Sequence, residues 1–457
     1  MPLKVLIIGA GVCGPAFATL LRRADPGGER WHVTVVERAP KLRDSGLQID
    51  IRAQGISVIR KMGLMEAIRK RIVPESGVKF VDARGRSFAT FGKNDSGRGA
   101  QAMTSEYEIM RGDLVDVFYR ASLGLDPERS TDKKKGGAVA TDNDGAVRYV
   151  FGTTAVDISQ HDDDDDDDDE AATVTFSDGK KERYHLVVAA DGQSSRTRRM
   201  VLSEHDTGFH PLGLYTAYYL VPRAPDDDAW MRWHLMTGRR AVFTRSADRE
   251  APTQVYMSVQ TTRATDAYGV ATAIGKSSTS SSVSVRDQKA VFAAAFADQT
   301  GWKLPAFVDA LKNTTPDDDF YATEIGQVRC EKLVRGRVVL LGDAGYCPSP
   351  ITGMGTTLSL TGAYILAGEL ARHADGDVTA ALKAYEEGVR PYVTEAQKLI
   401  IGNPDILYAQ SAWGVWFLTT IISLMAKLRI VDLAIRLMPE DKGGLKIPEY
   451  PALKLGD

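Results

Sequence analysis

Residues Leu3 to Glu37 constrain the fold of this 457-residue chain more than any other stretch. An apolar run, Lys4-Val5-Leu6-Ile7-Ile8, breaks at Gly9-Ala10-Gly11-Val12-Cys13-Gly14. A helical pattern follows from Gly14 to Arg23, and the β-branched His32 to Glu37 returns as a strand. That order is a βαβ unit, and its glycines have the spacing of a dinucleotide site. Gly9 makes the turn, Gly11 lets backbone approach a pyrophosphate, and Gly14 lets helix and strand pack closely. Glu37 closes the second strand, where a carboxylate can accept hydrogen bonds from an adenosine ribose, with Arg38 beside it as a further contact. The helix N-terminus offers free N–H groups and about half a positive charge to the phosphates.

Two later segments repeat one pattern, a buried strand running into an acidic turn. The first is Tyr184 to Arg198, with Asp191-Gly192 at the strand end; the second is Arg337 to Ala344, with Gly342-Asp343, continuing through Pro348, Pro350, Gly353 and Gly355. A carboxylate at such a position is costly to desolvate unless hydroxyl or amide donors meet it, and a ribityl chain carries hydroxyls. Gly353-Met354-Gly355 opens a helix through Thr356 and Thr357, so its positive end can face an anionic flavin ring.

Lys plus Arg number 57 and Asp plus Glu 60, a net charge of −3, and the longest charge run is acidic. That balance argues against a nucleic-acid partner. Cys13, Cys330 and Cys347 have neither zinc nor thioredoxin spacing, and no His or Cys cluster accompanies them, so neither a disulfide framework nor a metal is expected. The first apolar run is too short for a signal-peptide core. The expectation is a cytoplasmic protein.

Between Gly208 and Val328, Tyr215–Val221, Met231–Met236, Ala241–Arg245 and Gln254–Gln260 alternate like one-sided antiparallel strands. The fold class is therefore α/β. A Rossmann-like domain, interrupted in sequence (1–207 and 329–395), carries an inserted antiparallel-sheet substrate domain (208–328) and a C-terminal helical segment (396–457). A hairpin from Val78 to Phe91 falls in the first part. Asp162 to Asp169 repel one another and have no apolar face, which suits a solvated hairpin tip; calcium binding is the sharper alternative, without spaced ligands to support it. Ser277 to Ser284 and the Lys-rich stretch from Thr131 to Gly137 read as loops. Ile406 to Ala426 carries no charge and is as long as a membrane span, but Gln410, Ser411, Thr419, Thr420 and Ser423 dilute it. A helix packed across a domain surface is the main reading. Peripheral membrane association is the alternative, because Trp413, Trp416 and the nearby Lys and Arg suit a bilayer surface.

The three glycine-and-acid segments, in this order and at these separations, resemble the single-component flavoprotein monooxygenases that include 4-hydroxybenzoate hydroxylase and the tetracycline-inactivating monooxygenases. The resemblance extends over most of residues 3 to 395 and implies bound FAD. It implies that Arg52, in Ile51-Arg52-Ala53, and Arg111, in Met110-Arg111-Gly112, contact FAD. It also implies NAD(P)H as cosubstrate, docking transiently because the chain has one full GxGxxG, with O2 adding at the flavin C4a carbon and the hydroperoxide passing one oxygen to a hydrophobic aromatic or polycyclic molecule. Arg196, Arg198 and Arg199 are either receivers of a 2′-phosphate or a solvated basic turn. The chain departs from the family in reading Gly342-Asp343-Ala344-Gly345-Tyr346 where many members have GDAAH, and Thr357 where they have Asn. Catalytic candidates are His234, Tyr346, Pro348 and Pro350. Trp233, His234, Phe243, Tyr256 and Met257 are either pocket lining or ordinary sheet packing. A flavin-linked dehydrogenase or reductase, and a non-catalytic flavin-binding module at a membrane, are the rival readings.

Overall fold

The computed structural model describes residues 2–455 except 44–45, 94–103, 130–145, 161–170, 204–205, 249–250, 262–265, 276–282, 314–319, 374–375, 400–403 and 431–444. The acidic run, the Lys-rich stretch, most of the Ser-rich tract and the continuation of the last helical pattern lie outside the described residues.

In chain order the structure runs β1 (Leu3–Ile8), α1 (Cys13–Ala24), β2 (Trp31–Glu37), β3 (Gln48–Ile51), α2 (Ala53–Lys61), α3 (Met65–Arg69), β4 (Gly77–Val81), β5 (Ser87–Gly92), β6 (Tyr107–Met110) and α4 (Arg111–Ser122). It continues with β7 (Val147–Phe151), β8 (Ala155–Ser159), β9 (Ala172–Phe176), β10 (Lys181–Tyr184), β11 (Leu186–Ala189), α5 (Arg196–Val201), β12 (Thr207–Val221), β13 (Trp230–Met236), β14 (Arg240–Arg245) and β15 (Thr253–Gln260). Then come α6 (Val270–Gly275), α7 (Val285–Phe296), α8 (Leu304–Asn313), β16 (Tyr321–Cys330), β17 (Val334–Arg335), β18 (Val338–Leu340), α9 (Asp343–Tyr346), α10 (Gly355–Arg372), α11 (Val378–Ala396) and α12 (Ala412–Lys427).

Among the described residues, the central sheet has the order β17-β18-β11-β1-β2-β7. It is parallel except at β17, with Ile8 beside Ala189 and Ala189 beside Leu340. Strands from residues 3–8, 186–189 and 338–340 thus end at one level, bringing three remote turns to one edge. These strands are continuous apolar runs because helices cover them. α10 is buried from Thr357 to Ala371 on every side, and α1 packs Phe17, Leu20 and Leu21 into the same core.

The second large sheet, β16-β12-β15-β14-β13-β4-β5, reaches beyond residues 208–328. The hairpin expected within the first segment leaves it: β4 pairs in parallel with β13, and Phe80 stacks on Trp233 at 5.5 Å. Alternation divides this sheet into two faces. One packs Tyr219, Met236, Val242 and Met257 under α7 and α8; the other carries Phe80, Trp233, Phe243 and Leu214.

Residues 406–426 do not form one continuous helix. Pro404–Leu407 is a 3-10 turn, and α12 starts at Ala412, capped by the Ser411 hydroxyl, which accepts from Gly414 N at 3.1 Å. α12 lays Leu418, Ile422 and Ala426 against the second sheet, and the Ser423 hydroxyl donates to Phe88 O at 3.3 Å. Trp413 and Trp416 remain 68% and 60% exposed. Among the described residues, no helix is long and apolar enough to cross a membrane.

Candidate active site

Gly9 adopts φ +114°, and a Cβ there would stand 2.5 Å from Ala190 O; a Cβ on Gly14 would stand 2.1 Å from Gly9 O. The turn after β1 therefore packs against the turn after β11 at a distance only glycine allows. Glu37 reaches back to this turn, accepting from Ala10 N at 3.0 Å and from Ala39 N at 2.9 Å. Each carboxylate oxygen takes one backbone donor and keeps acceptor capacity toward the cleft. Arg38 is exposed beside it.

The two acidic turns differ. Asp191 is already satisfied by its own loop: Ser195 Oγ donates to it at 2.5 Å, Thr197 Oγ1 at 3.0 Å, and the backbone N–H groups of Arg196 and Thr197 at 2.9 and 3.1 Å. The ribityl hydroxyls expected to meet it are not required, because Asp191 organises the start of α5. Asp343, at the first position of α9, has the Cys347 thiol as its hydrogen-bonding side chain. Burial pushes its carboxyl above the usual range, and Cys347 and then Arg111 offset this in part. This carboxylate retains room for hydroxyl donors.

Arg111 joins the two ends of the cleft. Its guanidinium lies 3.3 Å from where a Gly11 Cβ would be. Burial and Arg43 draw its pKa down, while Glu37, Tyr321 and Asp343 draw it up, so all of these groups sit around one cation. Arg52 pairs its guanidinium with Asp50 (Nε–Oδ2 2.7 Å, Nη2–Oδ2 2.5 Å), close to the Gly353 turn. Thr357, where the family has Asn, bonds the Arg52 backbone; its hydroxyl lies 2.9 Å from both Arg52 N and Arg52 O. The Gly353–Gly355 turn and α10 are thereby fixed to β3. Pro350 is exposed at the start of a 3-10 turn ahead of them.

Several candidates are built into the framework instead of facing the cleft. Tyr346 is buried, its hydroxyl 3.0 Å from Tyr385 Oη, with Tyr385 donating to Leu340 O at 2.9 Å. Pro348 is buried, and its carbonyl accepts from Gln327 Nε2 at 3.0 Å. Arg198 is 6% exposed and spends its guanidinium on Ala344 O (2.7 Å) and Gln193 O (2.9 Å), tying the two acidic turns together; Arg196 and Arg199 stay exposed. His234 lies on the helix-covered face, with Nδ1 3.0 Å from Val81 O and its ring 6.1 Å from Trp302; burial holds the imidazole below its ordinary pKa. Met257 shares that face. Alternation carries both away from the cleft.

The opposite face supplies an aromatic wall. Phe243 and Tyr256 stack at 4.2 Å, Tyr218 meets Tyr256 edge-on at 4.9 Å, and Tyr321 stacks on Tyr218 at 5.8 Å. Tyr321 also interacts electrostatically with Asp343 and Arg111, so this wall adjoins the cleft. Sequence reading missed Tyr321, whose only signal was its place at the start of a strand ending near Cys330. It also missed the acidic residues Asp50 and Glu108 inside the short strands β3 and β6. Among the described residues, no cluster of His, Cys, Asp or Glu could hold a metal ion.

Residues 2–399 match the family described as "FAD binding domain". The chain is 36% identical to the FAD-dependent monooxygenase asL6 of Sarocladium schorii, over 99% of each chain, and 35% identical to the flavin-dependent monooxygenase eupH of a Phoma species, over 98% of each. Among solved structures it is similar to the tetracycline destructase Tet(51), with a TM-score of 0.70, 26% identity, and coverage of 98% of this chain and 100% of that one. The free acceptors of Glu37 and Asp343, the glycine cradle and the central cation fit that cofactor, and the chain belongs to the FAD-dependent monooxygenases.

Proposed function

We propose that the protein uses NAD(P)H and O2 to insert one oxygen atom into a hydrophobic aromatic or polycyclic small molecule held between the FAD cleft and the aromatic wall. The observation carrying this reading is the wall itself. Phe243, Tyr256, Tyr218 and Tyr321 form one contiguous face beside Asp343 and Arg111, and flat rings are what such a face binds best. FAD, when bound, supplies hydride acceptance and dioxygen activation. The chain's own contribution is placement. Glu37 accepts from the adenosine ribose, and Gly9, Gly11 and Gly14 with the α1 N-terminus receive the pyrophosphate. Asp343 and Gly342 hold the ribityl chain, Arg111 neutralises the cleft, and Pro350, Gly353, Gly355 and Thr356 form the lip facing the ring. Arg196 and Arg199 are the exposed cations left for a nicotinamide 2′-phosphate. Cys13, Cys330 and Cys347 are free and buried, which suits a cytoplasmic enzyme.

The test is to supply NAD(P)H and isotope-labelled dioxygen to the yellow holoprotein with a panel of polycyclic phenols. One labelled oxygen in the product per NAD(P)H oxidised is expected. Turnover of NAD(P)H with an electron acceptor and no label in any product would instead identify a dehydrogenase or reductase.

A peripheral membrane contact is the second reading, favoured by the exposed Trp413, Trp416 and Phe417 on α12 with Lys427 in its last turn. Its occupant is an anionic bilayer surface. Co-sedimentation with phosphatidylserine vesicles that is lost in Trp413→Ser/Trp416→Ser supports it, and no sedimentation rejects it.

A further inference from the structure

Where the β3–β6 ribbon meets the second sheet, five charged side chains of the described residues converge, two of them buried and three half-buried. Asp50 on β3, Glu108 on β6 and Glu75, from the segment between α3 and β4, face Arg52 and Arg245 of β14, with Gln48 and Tyr256 among them. Glu75 and Glu108 are 2% and 0% exposed. Gln48 Nε2 donates to Glu75 Oε2 and to Glu108 Oε2, both at 3.1 Å. Arg245 Nη1 reaches Glu108 Oε2 at 3.0 Å, and its Nε lies 3.8 Å from Glu75 Oε2. Burial alone would pull the Arg245 guanidinium down, but Glu75 and Glu108 outweigh it and keep it charged.

Among the described residues, three carboxylates against two guanidiniums leave one net negative charge, and its most buried members, Glu75 and Glu108, lie out of reach of water. Such a charge is disfavoured unless it is paired or neutralised. The bonding pattern identifies where neutralisation falls. Asp50 Oδ2 takes two donors from Arg52, and Glu108 accepts from Ser105 N at 3.1 Å as well as from Arg245 and Gln48. Glu75 is the carboxylate with a bare oxygen that is also cut off from water: its side chain is 0% exposed and Oε1 has no partner, and neither has Oε1 of Gln48, itself only 6% exposed. Two orphaned acceptors in one buried cluster call for a donor.

We propose that Glu75 holds the one proton that balances this cluster, and that its release leaves an uncompensated negative charge beside the Gly353 turn, making Glu75 a positioning residue that couples flavin reduction to pH. The Asp50–Arg52 pair links the cluster to that turn, since a Cβ on Gly353 would stand 3.5 Å from Asp50 Oδ2 and 3.6 Å from Arg52 Nε. Burial pushes the Glu75 carboxyl up to about 7; Arg245 opposes this, Glu108 adds to it, the Gln48 hydrogen bond opposes it and Asp50 adds to it. The coupling rests on FAD binding as read above. Hydride transfer from NAD(P)H brings two electrons and one proton to the flavin and leaves NAD(P)+, so the ring gains electron density. A new negative charge at its lip opposes that gain.

Infrared difference spectra of the wild-type protein across about pH 7 should show a protonated-carboxyl C=O stretch that disappears at high pH and is missing in Glu75→Gln. In stopped flow, reduction of the wild-type holoenzyme by saturating NAD(P)H should slow several-fold over the same range. Glu75→Gln should abolish this pH dependence. Glu108→Gln, which removes a repelling carboxylate, should move the fall to lower pH. A C=O band unchanged in Glu75→Gln overturns the proton assignment, and a pH limb that survives there overturns the coupling. Should Glu75→Gln fail to fold, a limb that stays in place in Glu108→Gln is equally fatal. Failure of the flavin reading is distinguishable, because the infrared band is present without any cofactor.

Discussion

Removal of the Asp343 carboxylate separates cofactor binding from folding. In the structure this group is half-buried with a thiol for its hydrogen-bonding side chain, and partial burial pushes its pKa up, so the cofactor-free fold bears part of a desolvation cost that is not repaid. Replacing it by alanine takes that cost away, and the apoprotein of Asp343→Ala should melt at or above the wild-type temperature. The holoprotein should respond in the opposite sense. A hydrogen bond from a ribityl hydroxyl to a charged acceptor contributes about 1.5–3 kcal/mol, and each 1.4 kcal/mol is about tenfold in affinity. The Kd for FAD should therefore rise roughly ten- to a hundredfold, and the thermal shift produced by added FAD should shrink by the same free energy. Flavin-fluorescence titration gives the Kd, and melting curves with and without FAD give the linkage. An unchanged Kd, or an apoprotein that melts well below wild type, would refute the assignment of Asp343 as a ligand held in readiness.

Arg198→Ala should destabilise the fold by about 2–4 kcal/mol in denaturant titrations, because the carbonyls of Ala344 and Gln193 lose their buried donors. Its NADPH-to-NADH preference should stay that of wild type; a large change would return this guanidinium to the cosubstrate site. His234→Gln should leave kcat and its pH profile unchanged, since the ring faces Val81 and Trp302 on the helix-covered side of the sheet. A loss of turnover with the fold intact would place His234 at the reaction. The Glu75 carboxyl, raised from 4.5 to about 7, also gives a signed prediction for stability. Between those values the native state binds more protons than the unfolded chain, so its contribution is present below about pH 4.5 and falls as pH rises to about 7, by about 3 kcal/mol. The difference in unfolding free energy between wild type and Glu75→Gln should follow that fall; a difference independent of pH counts against the proton.

Local pattern was enough to specify the cofactor domain. An apolar strand, glycines at fixed offsets and an acid at the end of the second strand each report a short-range requirement of the backbone, and Gly9, Gly14 and Glu37 stand where those requirements put them. The two acidic turns were legible for the same reason, since each follows a strand too apolar to be anything but buried. Tertiary structure decided which acid is available and which is already satisfied: Asp191 and Asp343 look alike in sequence, and only the donors around them tell them apart. It also decided which face of a strand meets the cleft. A period of two places His234 and Trp233 on opposite sides, but α7 and α8, remote in sequence, choose the side that is covered. The transfer of β4 and β5 to the second sheet, and the meeting of Asp50, Glu75 and Glu108 with Arg245, depend likewise on pairing between distant segments. No local propensity encodes such contacts, because their free energy exists only once both partners are in place.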